Sequence, residues 1–62
     1  MSEIRKWEIL ATDFDDLEYT LSELFIGNTQ EVEEESKKLA NQFEETNGFF
    51  LDTIFQNSLG KI

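Results

Sequence analysis

The sequence predicts an all-α protein: an antiparallel helical hairpin, with helices over residues 3–26 and 30–58, that dimerises into a four-helix bundle. Three observations carry that expectation. Trp7, Leu10, Phe14, Leu17, Leu21 and Leu24 follow one another at spacings of 3, 4, 3, 4 and 3, the pattern of a helix packed lengthwise against another helix. Gly27-Asn28-Thr29 then supplies a stop signal followed at once by a start signal. Beyond it, Val32, Leu39, Ala40, Phe43, Phe50, Leu51 and Ile54 fall within one arc of about 120° on a helical wheel. The alternative architecture is a monomeric three-helix bundle.

The first helix is widened on its apolar side by Ile4, Ala11 and Phe25. A competing division exists within it. Thr12 is a candidate N-cap, with Asp13, Asp15 and Asp16 filling a first turn. Residues 4–10 would then stand apart as a short helix or a strand, because Trp7 and Ile9 alternate with charged neighbours. The unbroken phase from Trp7 through Phe14 favours a single helix, bent near Thr12. Its end falls at Gly27, where a helix C-terminus wants a residue free to turn left-handed.

Asn28 opens the second helix as an N-cap, and Glu31 stands three residues on, the placement of a capping box. Glu31, Glu33, Glu34 and Glu35 suit the positive end of the helix dipole. Asn47-Gly48 is a strong local stop. The apolar arc keeps its phase across it, and a surface glycine inside a helix costs only about 1 kcal/mol. One helix over 30–58 with a candidate break at 47–48 is therefore preferred over a third helix starting near Phe49. Phe49, Phe55 and Leu59 lie off the main arc, so residues 49–59 are apolar on more than one side and need a second partner surface. Gly60 and Lys61 end the pattern.

The 62 residues make one small helical domain, 1–62. A core of that size supplies roughly 3–5 kcal/mol without a staple. No Cys is present for a disulfide, and the absence of His and Cys argues against structural zinc. Self-association, as a dimer, is the staple that remains. Eight aromatic residues, six of them Phe, speak against disorder despite a net charge of −9. The five bases (Arg5, Lys6, Lys37, Lys38, Lys61) make no footprint for phosphates, so neither direct nucleic-acid binding nor adsorption to an anionic membrane is expected. The acidic, amphipathic start has no apolar signal-peptide core, and no run approaches membrane-spanning length. A cytoplasmic protein is the expectation.

Chemistry is sparse. Without His or Cys the usual proton shuttle and thiolate are missing. No serine has a nucleophile-elbow setting and no glycine run cradles phosphate. The acids from Asp13 to Glu18 fail as a calcium loop, because counting from Asp13 puts Leu17, Glu18 and Leu24 at positions 5, 6 and 12. No enzymatic activity, metal or cofactor is expected. The reading that remains is a small acidic interaction or regulatory module, self-associating or binding a protein with a basic or apolar helical surface. Its candidate interface residues are Trp7, Phe49, Phe50, Phe55 and Leu59; Trp7 is at the same time a core candidate, since it lies on the stripe. An acidic mimic that inhibits a DNA- or RNA-binding protein and a structural subunit of a larger assembly are the alternatives.

Overall fold

The computed structural model, which describes residues 3–61, replaces the helical hairpin with a three-stranded antiparallel sheet and one helix. Strand β1 (Arg5–Asp13) is followed by β2 (Glu18–Gly27), helix α1 (Thr29–Asn47) and β3 (Leu51–Lys61). The strand order is β2-β1-β3. The helix therefore carries the chain over one sheet face, from one edge strand to the other, and β1 lies between them. With no four-helix or three-helix bundle, the all-α expectation is corrected in both its forms.

The correction begins in β1. Its alternation, which the heptad stripe overrode, is the signal that governs. On one face β1 presents Trp7, Ile9 and Ala11; on the other it presents Lys6, Glu8, Leu10 and Thr12, as the pleat requires. Ile9 and Ala11 are fully buried. Leu10, also buried, sits on the face that the helix does not cover, in register with Thr20 on β2 and Phe55 on β3. The apparent stripe combined residues from both faces of a sheet with residues of a turn. Phe14, Leu17 and Leu24 are all exposed.

β2 is rich in aromatic and β-branched residues (Tyr19, Thr20, Phe25, Ile26), which fit a pleated, half-buried surface. Its pairing with β1 slips twice, between Trp7 and Ile9 and between Ile9 and Leu10. Each slip inserts an extra residue into β2, and such bulges re-aim side chains. That is how Leu21 reaches the core beside Tyr19. Gly27 ends the strand and is not the left-handed cap of a helix. A Cβ there would meet Phe25 Cε2 at 2.9 Å and Glu31 Oε1 at 3.0 Å.

The helix starts where the sequence places it. Glu31 N–H donates to Asn28 Oδ1 at 2.8 Å, and Asn28 N–H donates to Glu31 Oε1 at 2.8 Å, completing the capping box. It stops at Asn47-Gly48. Gly48 takes a φ of 77° and donates its N–H to the Glu44 carbonyl at 2.9 Å, a glycine C-cap. The single helix over 30–58 and the third helix from Phe49 are both corrected: residues 51–61 are extended. Their many-sided apolarity arises because a strand shows alternate residues to opposite faces, Ile54 and Gln56 toward the helix and Phe55 away from it.

The core lies between α1 and the sheet. Ala11, Ala40 and Leu51 form its centre, with Tyr19, Leu21 and Phe43 packed against them, and Ile9 and Val32 are fully buried. Two side-chain bonds lock the helix to β3. Ser36 Oγ accepts from Gln56 Nε2 at 2.9 Å while donating to the Val32 carbonyl. Glu44 Oε2 accepts the Leu51 N–H at 2.7 Å. No helix is long and apolar enough to cross a membrane among the described residues.

Candidate binding end

The topology gathers one kind of residue at one end of the molecule. The β1–β2 turn, the C-terminus of α1 and the start of β3 meet there, because Asp13 pairs with Leu51 and α1 runs toward that end. Asp13 organises the turn. Its Oδ1 accepts the N–H groups of Asp15 at 2.8 Å and Leu17 at 3.0 Å, and its Oδ2 accepts the Tyr19 hydroxyl at 2.8 Å. Asp16 takes a φ of 63°, a left-handed conformation that aspartate tolerates. The acid run from Asp13 is thus a turn, with the Asp13 carboxylate serving as its internal acceptor.

Burial opposes the charged form of Asp13, but the bonds from Tyr19, Leu17 and Asp15 outweigh it and hold its pKa below the usual 3.8. The same Tyr19–Asp13 bond, reinforced by burial and by the charges of Asp13 and Asp15, raises the Tyr19 pKa above its usual 10.0. The pair is structural. It fixes the Tyr19 ring so that a chain of aromatic contacts follows. Tyr19 and Phe43 have centroids 5.0 Å apart, Tyr19 and Phe49 5.9 Å, and Phe43 and Phe49 5.7 Å in an edge-on arrangement.

From this cluster the aromatic surface runs outward into water. Phe50 is 74% exposed and Phe14 is 71% exposed. Phe49 and Phe50 stand between two shallow clefts. One, of about 510 Å³, is completed by Asp13, Phe14, Asp15 and Tyr19. The other, of about 740 Å³, is completed along the helix by Asn41, Gln42, Glu44, Glu45 and Gly48, with Lys38 at its rim.

The charges of this end are predominantly acidic, with Lys38 the one base lining its clefts. Asp13, Asp15, Asp16 and Glu18 lie in or beside the turn, Glu44 and Glu45 in the last turns of the helix, and Asp52 at the start of β3. The helix C-terminus adds the negative end of its dipole, and no basic residue occupies the last turn of α1. Three of the five bases lie at the opposite end, since Arg5 pairs with Lys61 across β1 and β3 and Lys6 with Gly60. There Glu3 takes ion pairs from Arg5 at 3.0 Å and Lys61 at 3.1 Å, and the hydrogen bonds from Lys61 and Arg5 lower its pKa.

Of the five interface residues that the sequence nominates, the structure brings two together, Phe49 and Phe50. Trp7 is half-buried on the helix side of β1 at the far end, with its Nε1–H donated to the Gly27 carbonyl at 2.9 Å. Phe55 is half-buried on the uncovered sheet face beside Leu10, and Leu59 is exposed where the β1–β3 pairing slips between Lys6 and Trp7. Phe14, Asp13 and Tyr19 belong to the site and were missed. The signal that marks them is the acid cluster around Phe14, turn chemistry that takes an aromatic out of any core stripe. Among the described residues no group of three or more His, Cys, Asp or Glu side chains is placed to hold a metal ion.

Comparison with family models, with curated proteins and with solved structures finds no match. The class of the protein is therefore defined by its own geometry: a small β-β-α-β domain with an acidic, aromatic end.

Proposed function

We propose that the protein is a non-catalytic interaction module that docks a basic, apolar segment of another protein against its aromatic end. One observation carries this reading. Exposed Phe14 and Phe50 sit beside a fixed aromatic cluster, at the end where the turn carboxylates, Glu44, Glu45 and the negative helix terminus converge. Exposed aromatic rings of this kind anchor interfaces, and Arg side chains stack on ring faces while their charge meets the carboxylates. The surrounding field steers a cationic partner in. The basic partner surface foreseen from the sequence fits this end. The acidic-mimic alternative gains no comparable support, because Lys37 and Lys38 interrupt the carboxylates on the exposed face of α1.

A titration followed by backbone NMR tests the proposal with three synthetic peptides of equal length: alternating Arg and Leu, alternating Arg and Gly, and alternating Glu and Leu. The Arg-Leu peptide is expected to bind most tightly and to shift the amides of residues 13–17 and 48–51. Phe50→Asp is expected to weaken it at least about tenfold, the loss of one aromatic anchor. No binding, equal binding of the Glu-Leu peptide, or shifts confined to the other end would overturn the proposal.

A further inference from the structure

The sheet has two edges, and they are built differently. β2 is broken by two slips in register and carries Glu18 and Glu23 without a base, features that discourage strand addition. β3 is the longest strand, 11 residues, and it pairs with no strand but β1 among the described residues; apart from the Leu51 N–H, which donates to Glu44, its outer edge is open to another strand. Its irregularities lie at the two ends, between Lys6 and Trp7 and between Thr12 and Asp13 of the partner strand. Between them runs Thr53-Ile54-Phe55-Gln56-Asn57-Ser58, regular, without charge and without proline. An edge of that kind is a template for another strand.

We propose that this edge pairs with the same edge of a second copy, β3 against β3 in antiparallel fashion about a two-fold axis near Gln56. Full overlap of a strand spanning residues 51–61 places the axis at residue 56. The register agrees with the pleat, since residues facing each other across a perpendicular two-fold then lie on the same sheet face. It joins two three-stranded sheets into one of six strands, with both helices on one side.

Charge complementarity selects a second copy as the occupant. β3 carries one acid and one base, Asp52 and Lys61, at opposite ends. Because β3 carries one extra residue near each end, Asp52 and Leu59, the two-fold brings each Asp52 alongside Gly60 and Lys61 of the other copy. Two such pairs form, and no like charges of β3 meet, although each chain carries a net charge of −9. Lys61 already reaches Glu3 at 3.1 Å and is 75% exposed, so it is free to share its ammonium group. On the uncovered face the two Phe55 rings become diagonal neighbours, about 7–8 Å apart, within reach of one another. On the helix side, Ile54, exposed at the sheet margin, gains a covering strand. The aromatic anchors of the other end, Phe14, Phe49 and Phe50, lie outside β3, and Asp52 is the one charge common to both surfaces.

Sedimentation equilibrium from micromolar to millimolar protein tests the proposal, with circular dichroism confirming that each exposed-site variant keeps its fold. The wild-type chain is expected to dimerise. Asp52→Lys and Lys61→Asp, the second also releasing Glu3 from its ion pair with Lys61, are each expected to raise the dimer Kd roughly five- to thirty-fold. The double swap Asp52→Lys with Lys61→Asp restores opposite charges and is expected to recover the wild-type Kd within about twofold. A monomer throughout the concentration range overturns the proposal. So does a dimer whose Kd is indifferent to the single changes, or one that the double swap fails to rescue.

Discussion

Ile9→Ala is expected to leave the isolated chain unfolded, whereas Leu17→Ala is expected to leave its stability nearly unchanged. Ile9 is fully buried at the centre of β1, between Ser22 on β2 and Gln56 on β3. Truncating such a side chain costs about 2–5 kcal/mol, the sum of lost transfer energy and the cavity left behind. A domain this small has roughly 3–5 kcal/mol to lose. Leu17 is 57% exposed at the β1–β2 turn, and substitutions at such positions usually fall within about 0.5 kcal/mol. The helical hairpin ranks the two the other way, because Leu17 is in the middle of the heptad stripe and Ile9 is off it. Thermal or urea unfolding followed by circular dichroism decides between them. Ile9→Val, costing about 0.5–1.5 kcal/mol, is expected to stay folded with a reduced Tm. Equal stability of Ile9→Ala and Leu17→Ala would contradict the core described here.

The second large effect is expected at Asp13. Its carboxylate is the acceptor for two backbone N–H groups and the Tyr19 hydroxyl, so Asp13→Ala leaves three donors without their partner at the base of the turn. A fall in Tm of more than about 5 °C at neutral pH is expected. Asp13→Asn keeps one acceptor oxygen for the two amides and is expected to fall between Asp13→Ala and the wild type. The pH dependence has a definite sign. The folded pKa of Asp13 is depressed below 3.8, so its stabilisation is fully present above that value and is lost as pH falls through the lowered one. The Tyr19 pKa is raised above 10.0, so the neutral hydroxyl's contribution is present below that value and lost as pH rises through the raised one. Melting curves of wild type and Asp13→Ala from neutral pH into acid are therefore expected to converge. Curves that already coincide at neutral pH would contradict the role given to Asp13.

What the sequence conveyed correctly is local. The capping box of Asn28 and Glu31 depends on four residues in succession, and the left-handed stop at Gly48 on the freedom of one glycine. What it conveyed wrongly is the period of the flanking segments. β1 is buried on one face by α1 and partly closed on the other by Phe55 and Thr20, so apolar residues appear at Ile9, Leu10 and Ala11 in succession, and alternation is blurred. Bulges in β2 shift its phase by one residue at each slip. An exposed Phe14 and Leu17, added from the turn, then completed a 3–4 spacing by coincidence. The same coincidence hid the site: Phe14 was counted as core, and Tyr19 was silent because its role depends on Asp13, six residues away, and on Phe49 from the other end of the chain. Phe49 and Phe50 were visible as apolar excess beyond Gly48.

Residues 5–13, 18–27 and 51–61 form one antiparallel sheet with β1 in the middle. Through-space NMR contacts test it most directly. Cross-strand contacts of Leu10 with both Thr20 and Phe55, and of Ala11 with both Tyr19 and Ile54, are expected. Contacts between residues three apart running unbroken from Ile4 to Leu24, and from Val32 through Gly48 to Ser58, would contradict it and return the chain to a helical hairpin.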